Sequence, residues 1–441
     1  MWGRVKAAWQ AVNASYWFYP ALFALTAVLL ASLTIHLDRI GWSERLSTVE
    51  WIQPARPAGA TNMLTVIAGS MIGVASTVFS ITIAAVAYAS GNYGPRLLTN
   101  FMEDRGNQFS LATFIGTFVY ALTVLRAVRT GEERVLLDLS VAGESAAFVP
   151  QLSLLTAYIL MAASIAVLVF FLNHIPASIR INSVLKGIGQ RLIDDIKQLF
   201  PEKVMGATDS EVPYGRPVDS DTVGYVQRID FDRLERIATE ANGHIKLGVR
   251  TGEFVHPHVP LAYWAEDDEL DERHDESIRA CFTLGGMRTP AQDLHFLIDE
   301  LVEIGLRALS PGINDPFTAI TTIHWLGSAT AELARRDLTR KFGDADNADE
   351  DRLILLDDDF DHYVARGFGA MRSAVATSPT AARVTYDVIY NAGIGCNDIS
   401  RLQTLRREGE RLYQQAELEL SGPALEDVQA RYQSFLKRFE A

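Results

Sequence analysis

The chain has 441 residues, a formal net charge of −14 and 48% hydrophobic residues, and it is too long for one compact domain. The acidic balance argues against binding to duplex nucleic acid, because neutralising phosphates requires clustered Lys and Arg. Only Cys281 and Cys396 are present, so the sequence offers no disulfide framework and no cysteine-based zinc site. We therefore expect no nucleic-acid partner and a reducing, cytosolic setting for the soluble part.

Four apolar segments in the N-terminal part are long enough to cross a bilayer, which requires about 20 mainly apolar residues. The second is about 40 Å long as a helix, so it must tilt or protrude from the hydrocarbon core. The third is diluted by threonines but carries no charge. We expect the lipid bilayer to surround all four spans, which cover Trp17–Leu37, Met63–Ala89, Phe109–Leu125 and Gln151–Asn173.

Lys and Arg residues near the ends of the spans predict the orientation. Arg4 and Lys6 precede the first span, and Arg180 and Lys186 follow the fourth. Because the number of spans is even, both termini are expected on the cytoplasmic side.

Small side chains share one face of the second span. The larger Met71 and Val78 lie on the opposite face, and Thr113 and Thr117 share one face of the third span. Small residues permit close helix packing, whereas hydroxyls and carbonyls along a line can replace the hydration of an ion, and both interpretations stay open. In either case we expect the small face to contact neighbouring protein around an axis and the larger side chains to face lipid. At 100° per residue the small residues of the second span form one narrow arc: Gly69, Gly73, Ser76, Ser80, Ala84, Ala87 and Gly91.

No acidic or basic side chain lies deep in any of the four spans. Coupled transporters and proton relays usually keep such a group at depth, so a passive channel, a sensor or an anchor is favoured. The loop that follows the second span places Pro95 and Arg96 at the mouth of a pore. The alternative for Arg96 is a simple positive-inside anchor.

The remainder of the chain is predicted to form a cytosolic α+β domain. Residues 201–222 are rich in Pro, Gly, Asp and Ser, which indicates a linker. Short strands are predicted after it. A helical pattern begins at Glu276, and its first helix is predicted to cover Glu276–Leu284. The fold class is therefore a multi-pass α-helical membrane protein followed by this domain. The predicted divisions are a four-helix transmembrane domain (1–174), a juxtamembrane helix with linker (175–222), a β-rich module (223–275) and a helical remainder (276–441).

The stretch "RALSPGINDPFTAI" predicts a corner between two helices. A helix that ends at Leu309 meets a Ser-Pro-Gly turn. Asp315 can cap the next helix, and Pro316 suits its first position because the missing N–H is not needed there. Asn314 is the residue for which this local chemistry gives no requirement.

Three stretches, "RTPAQDLHFLIDELVEIGLRALSPGINDPFTAI", "FSITIAAVAYASGNYGPRLL" and "FIGTFVYAL", closely resemble the bacterial membrane protein family known as domain of unknown function 2254. The resemblance extends from about Tyr16 into the C-terminal helices. It implies four spans ahead of a cytosolic domain, in a bacterial inner membrane. It also implies that the family's recurring motif positions are Pro95, Arg96, Arg288, Gln292, Asp293, Asn314, Asp315 and Pro316.

The histidines give no metal site that spacing alone can define. His256 and His258 could share a strand face, but Pro257 interrupts the strand, and we interpret these two and His295 as exposed loop residues. Asp293 is expected to form salt bridges with nearby arginines such as Arg288. The sequence contains no phosphate-binding glycine loop, no metalloprotease motif and no nucleophile elbow. We therefore predict no catalytic residue, no cofactor and no metal.

The leading functional hypothesis is a homo-oligomeric passive pore for small inorganic ions, with a cytosolic domain that assembles and gates it. The alternative is a membrane-anchored sensor or scaffold whose cytosolic domain binds a partner or small ligand. An enzyme is not expected. The residues proposed to line the pore are Gly69, Gly73, Ser76, Ser80, Thr113 and Thr117, with Pro95 and Arg96 at its mouth.

Overall fold

The computed structural model describes residues 16–42, 56–94, 104–129, 148–200, 215–266, 273–339, 352–356 and 358–440. Contacts within the chain divide it into two compact units, Met1–Arg180 and Ile181–Ala441. The N-terminal unit holds the long apolar helices. The C-terminal unit holds all the strands that the structure describes and a second set of helices.

Four long helices in the described part of the N-terminal unit are α1 (Phe18–Arg39), α2 (Pro57–Tyr93), α3 (Arg105–Leu125) and α4 (Gln151–Ser178). Each is long and apolar enough to cross a membrane, which confirms the four predicted segments. α3 packs against the other three helices. It is therefore the most buried of the four, with 56% of its apolar window buried, and its mean hydropathy of 1.6 is the lowest. The central position explains why this span tolerates so many hydroxyl groups.

α2 packs with its larger side chains toward the bundle. Met71 is 6% exposed and Val78 is 1% exposed, and both belong to the apolar core of the unit. The expectation that these side chains would face lipid is wrong. Larger apolar side chains fill the space between helices and gain dispersion contacts with α3, so they lie on the inner face.

The helices of the C-terminal unit enclose most of its volume. α5 buries Leu185, Leu192 and Ile196 and packs against α8 and α9. A π-helical segment, Ala365–Gly369, joins α10 to α11. The helices are α5 (Ile181–Leu199), α6 (Phe231–Glu240), α7 (Arg273–Arg279), α8 (Leu294–Ala308), α9 (Pro316–Arg335), α10 (Phe360–Val364), α11 (Ala370–Ala376), α12 (Pro379–Ala392), α13 (Ile399–Glu419) and α14 (Pro423–Glu440).

Seven short strands in the described residues form two sheets, with the orders β1-β5-β3-β7 and β4-β2-β6. Neighbouring strands are antiparallel, except that β3 and β7 are parallel. Val226, Ile245 and Trp264 belong to their shared apolar core. The strands are β1 (Arg216–Asp219), β2 (Gly224–Ile229), β3 (Gly243–Leu247), β4 (Phe254–Val255), β5 (Pro260–Glu266), β6 (Phe282–Gly285) and β7 (Leu353–Ile354).

The sheets extend beyond the predicted β-rich module. β1 and β6 lie outside residues 223–275, and β6 occupies a segment that we expected to be helical. The helix there, α7, ends at Arg279, and Phe282 then pairs with Ile229 of β2. Pairing with a neighbouring strand overrides the local helical pattern. β7 contains two residues, too few to show any periodicity in the sequence.

Candidate functional site

The small-residue face of α2 points away from the bundle. Gly69, Gly73, Ser76 and Ser80 are all exposed. A Cβ atom added at Gly69 or Gly73 would meet no other described atom within 4 Å. At 100° per residue this face lies about 180° from the buried face of the same helix. The structure therefore places these four predicted residues together on one outer surface.

The outer faces of α1 and α4 have a different composition. Their exposed side chains are large and apolar, as expected for surfaces in contact with lipid tails. On α2, exposed large residues such as Val66, Ile72 and Ile83 flank the small residues on both sides. The corresponding exposed residues are Leu25, Leu29 and Leu33 on α1 and Ile159, Val169 and Leu172 on α4.

Hydroxyl groups on the outer side of α2 donate their protons to their own helix. Ser80 Oγ donates to the carbonyl of Ser76 at 2.9 Å, and Thr77 Oγ1 donates to the carbonyl of Gly73 at 3.0 Å. Each hydroxyl oxygen retains its capacity to accept a hydrogen bond or contact a cation. Ser80 and Thr77 therefore offer oxygen acceptors at the outer surface.

Thr113 and Thr117 lie elsewhere, in the interior of the bundle. Thr117 is 2% exposed and its Oγ1 is 2.9 Å from Ser164 Oγ on α4. Thr113 is half-buried and donates to the carbonyl of Phe109 at 2.8 Å. Both line a groove of about 530 Å³ between α1, α3 and α4. These two residues, predicted with Ser76 and Ser80 to line a pore, therefore do not lie on the outer face of α2 within one subunit.

A second polar contact lies between the same helices. The hydroxyl of Tyr120 is 2.9 Å from Thr34 Oγ1 and donates to the carbonyl of Ser153 at 3.2 Å. The Asp38 carboxylate accepts from the backbone N–H groups of Leu152 and Ser153 at 2.9 and 3.0 Å. Asp38, at the end of α1, therefore satisfies donors at the first turn of α4.

Asp104 and His174 form a polar pair that sequence reasoning missed. Asp104 caps α3 by accepting from Gly106 N at 2.7 Å, and its other oxygen is 2.8 Å from His174 Nε2. An Asp directly before a helix was the available signal for the cap. Pro95 and Arg96, predicted at a pore mouth, lie outside the described residues.

In the C-terminal unit, the predicted residues Arg288 and Asp293 form a buried ion pair at 2.7 Å. The other Asp293 oxygen accepts from Phe296 N at 3.0 Å and caps α8. Asp299, six residues further along the chain, receives Arg288 at 2.6 Å and Arg366 at 2.8 Å. Burial alone would raise the pKa of Asp299, but hydrogen bonds from the two arginines outweigh it and lower the pKa.

Gln292 attaches the loop before α8 to the end of β2. Its side-chain oxygen accepts from Ile229 N at 3.0 Å, and its amide nitrogen donates to Ile229 O at 3.2 Å. Thr251 Oγ1 donates to the Gln292 carbonyl. Gly252 has φ +88°, and a Cβ there would approach Asp293 Oδ2 to 2.1 Å. Glycine is therefore required where this turn meets the ion pair.

Asn314, Asp315 and Pro316 lie at the opposite end of α8, whose 15 residues span about 22 Å. Asp315 caps α9 by accepting from Thr318 N at 3.1 Å, and Pro316 occupies the first turn, as predicted. Asn314 has φ 49°, a left-handed conformation that Asn adopts more readily than most residues. Local backbone geometry therefore explains Asn314, contrary to our interpretation of the sequence. The motif residues occupy two separate places.

A cavity of about 30 Å³ lies beside the first of these places, between the sheets and α8. Its polar lining includes Arg250, Gln292, Asp293, His295 and Asp358. It has room for about two water molecules, since one needs at least about 10–15 Å³. The cavity joins residues from distant parts of the sequence, which is why no spacing pattern predicted it.

The Asp358 carboxylate is surrounded by three cationic or imidazole groups. Its Oδ1 is 2.9 Å from Arg250 Nη2 and 3.8 Å from His362 Nε2, and its Oδ2 is 3.1 Å from His295 Nε2. The side chain of His295 is 13% exposed, so the interpretation of His295 as an exposed loop residue is wrong. His256 and His258 are exposed, as expected.

The electrostatics of this cluster fix its ionisation at neutral pH. Burial raises the pKa of Asp358, but His295, Arg250 and His362 outweigh burial, and the pKa lies below its usual value. Burial, followed by the neighbouring His295, Arg366 and Arg250, lowers the pKa of His362 despite the opposing Asp358. Asp358 is therefore an ionised carboxylate and His362 a neutral imidazole. These three side chains, His295, Asp358 and His362, are the described group whose atoms could hold a metal ion.

Comparison with known proteins identifies the family. The model of the DUF2254 predicted membrane protein family matches residues 13–391. The chain belongs to this family. Similar proteins include an uncharacterised protein of Mycobacterium bovis and one of Mycobacterium tuberculosis, each 29% identical over 354 residues. These alignments cover 78% of this chain and 66% of each relative. No solved structure matches the chain significantly.

Proposed function

We propose that this DUF2254 protein is a homo-oligomer in which the small-residue faces of α2 surround an axis and line a passive pathway for small inorganic ions. In this proposal the protein lies in a bacterial inner membrane with both termini and the C-terminal unit in the cytoplasm. The proposal assigns no chemical reaction and no nucleic-acid partner to the chain.

The observation that carries the proposal is the contrast between outer faces within one unit. α1 and α4 expose Leu, Ile and Val, whereas α2 exposes Gly69, Gly73, Ser76 and Ser80 directly opposite its buried face, with large apolar residues on either side of them. Lipid tails favour large apolar side chains on the surface they cover, and small residues are enriched where helices meet. A second copy of α2 or water is therefore the expected neighbour of this face.

Two further features favour a pathway over packing alone. The proton of Ser80 is donated within the helix, so its oxygen lone pairs are free to face an axis. α2 has 37 residues and a length of about 56 Å, more than the hydrocarbon core of about 30 Å, so it extends beyond the core. Oxygen acceptors along such a line can replace the hydration of a cation, and we expect cations to be preferred.

The pathway proposed here is narrower than the one expected from sequence. Thr113 and Thr117 belong to the bundle interior, so they are assigned to the stability of the subunit instead of the pathway. Ion passage in this arrangement requires an assembly, because the α2 face is on the outside of one subunit.

Disulfide cross-linking between introduced cysteines tests directly whether the α2 faces of two subunits meet. Ser76→Cys should form a disulfide-linked dimer under mild oxidation in the membrane, while Val169→Cys on the outer face of α4 should not. The wild type, whose native Cys281 and Cys396 are both buried, gives the background level of cross-linking. Equal cross-linking of the two variants would contradict the assignment of the α2 face to a subunit interface.

Ion flux from proteoliposomes tests conduction. Ser80→Leu should reduce K⁺ flux by at least about 10-fold by filling the pathway. Ala162→Leu, a change of similar size at an exposed position of α4, should leave the flux unchanged. Cross-linking through Ser76→Cys without any flux of K⁺, Na⁺ or Cl⁻ would reduce the α2 face to a packing surface and reject the pore.

The second candidate function is a membrane-anchored sensor whose C-terminal unit binds a small ligand. The cavity beside Gln292 and Asp293 favours it, because polar groups from several elements converge there. A sensor of this kind can be a monomer or an oligomer, and it does not need to conduct ions. The absence of flux together with specific ligand binding to the full chain would favour the sensor over the pore.

A further inference from the structure

We propose that His295, Asp358 and His362 bind a divalent first-row transition metal ion. One potential ligand atom from each of the three lies within 4.8 Å of those of the other two. Two imidazoles and one carboxylate form a ligand set used for Zn²⁺ and Fe²⁺ in proteins. The inference is independent of the proposed pore, since it concerns the C-terminal unit alone.

The distances fit a common metal centre. Metal–ligand bonds of about 2.0–2.2 Å place neighbouring ligand atoms about 2.8–3.6 Å apart in octahedral or tetrahedral coordination. The observed separations are 3.1 Å from His295 Nε2 to Asp358 Oδ2 and 3.8 Å from His362 Nε2 to Asp358 Oδ1. Small rotations of the His362 side chain, which is 40% exposed, are sufficient to close the larger separation.

The orientation of the imidazoles is the second observation that points to a ligand. The Nε2 atoms of His295 and His362 are buried, and neither forms a hydrogen bond with the described residues. Leaving such buried polar atoms without a partner is unfavourable. His295 Nε2 is 3.1 Å from Asp358 Oδ2, and a cation bound to both atoms would satisfy the imidazole lone pair.

Neighbouring charges leave one carboxylate oxygen available. Arg250 Nη2 is 2.9 Å from Asp358 Oδ1, the oxygen nearer to His362, so Oδ2, which is 3.1 Å from His295 Nε2, is the oxygen without an arginine contact. Carboxylate ligands are commonly held in place by such a second hydrogen bond. Arg366, which is also nearby, is paired with Asp299 at 2.8 Å. We therefore assign Arg250 the role of a positioning residue.

Open coordination positions can be filled from the adjacent cavity. His295 and Asp358 both line the space of about 30 Å³, which has room for about two waters. The partly exposed His362 provides the side from which an ion can enter. Three protein ligands with space for water correspond to an open site more than to a closed structural one.

Metal titration of the full-length protein in detergent tests the proposal. After removal of metals with a chelator, the wild type should bind one Zn²⁺ per chain, measured by competition with a chromophoric chelator. Co²⁺ should give the absorption bands of protein-bound cobalt. His362→Gln should weaken Zn²⁺ binding by at least about 10-fold, and H295Q combined with H362Q should abolish it.

His324→Gln is the matched control, because His324 is an exposed histidine on α9 in the same unit. It should bind Zn²⁺ like the wild type. Equal affinity of the wild type and the double variant, or no stoichiometric Zn²⁺ in the folded wild type, would overturn the proposal.

Hydrogen exchange of the wild type keeps the test independent of variant folding. Added Zn²⁺ should slow amide exchange at the start of α8 and along α10, where the ligands lie. Protection confined to other segments would contradict the site even if every variant failed to fold.

Discussion

Buried polar groups between the helices of the N-terminal unit include neutral pairs, such as Thr117 with Ser164 and Tyr120 with Thr34. In the C-terminal unit, Arg288 instead bridges two carboxylates, and one of these, Asp299, also receives Arg366. Removal of a hydroxyl leaves a neutral polar group that can form another hydrogen bond. Removal of a carboxylate leaves a buried arginine that has lost one of its anionic partners. The two units should therefore respond very differently to single substitutions.

The largest effect is expected at Asp293, whose side chain is 1% exposed. Asp293→Ala removes a cap of α8 and deprives Arg288 of one carboxylate, which should destabilise the C-terminal unit by about 3–5 kcal/mol. Hydrogen exchange of α8 in the full chain measures this loss. Asp427→Ala is the control, because Asp427 is 65% exposed and pairs with Arg383 at the surface, worth about 0–1 kcal/mol. Equal effects at the two positions would contradict the importance of the buried charged network.

A smaller effect is expected at Asp38, the carboxylate that the N-terminal unit keeps at the end of α1. Asp38→Ala leaves two N–H groups of the first turn of α4 without this acceptor and should cost about 0.5–2 kcal/mol. Asp38→Asn retains an acceptor and should cost less. Faster amide exchange at Leu152 and Ser153 in the alanine variant, measured in detergent, would support this assignment, and unchanged exchange would refute it.

Tyr120 tests the cost of a neutral contact inside the same unit. Tyr120→Phe keeps the ring and removes the hydroxyl that contacts Thr34 and Ser153. The expected cost is about 0.6 kcal/mol, and at most about 1.7 kcal/mol, the range found for interhelical hydrogen bonds in membranes. Unfolding of the helical bundle in mixed detergent measures it. A cost as large as that of Asp293→Ala would show that hydroxyl pairs are as important as the charged network.

The smallest effect is expected for a glycine substitution at Asn314, a motif residue in the C-terminal unit that lies outside the charged network. Asn314→Gly should change stability by only a few tenths of a kcal/mol, because glycine adopts φ 49° without strain. Asn314→Val should cost about 1–2 kcal/mol, since a β-branched residue is strained in this conformation. Thermal unfolding of the full chain distinguishes the two. Equal loss in both variants would indicate that the Asn314 side chain itself is needed.

The sequence was sufficient to predict four spans, because apolar length is a local property that does not depend on what a helix contacts. The cap at Asp315 and the corner at Pro316 follow from neighbouring residues in the same way. The arc of small residues on α2 could also be predicted, since helical geometry fixes which residues share a face.

Only the tertiary structure decided what each face contacts. Helical periodicity separates two faces of α2 but does not say which is packed, so Met71 and Val78 were assigned to the wrong side. The strand β6 and the cluster of His295, Asp358 and His362 depend on contacts between segments far apart in the chain. Spacing along a sequence carries no information about such contacts, because they arise when several elements pack together.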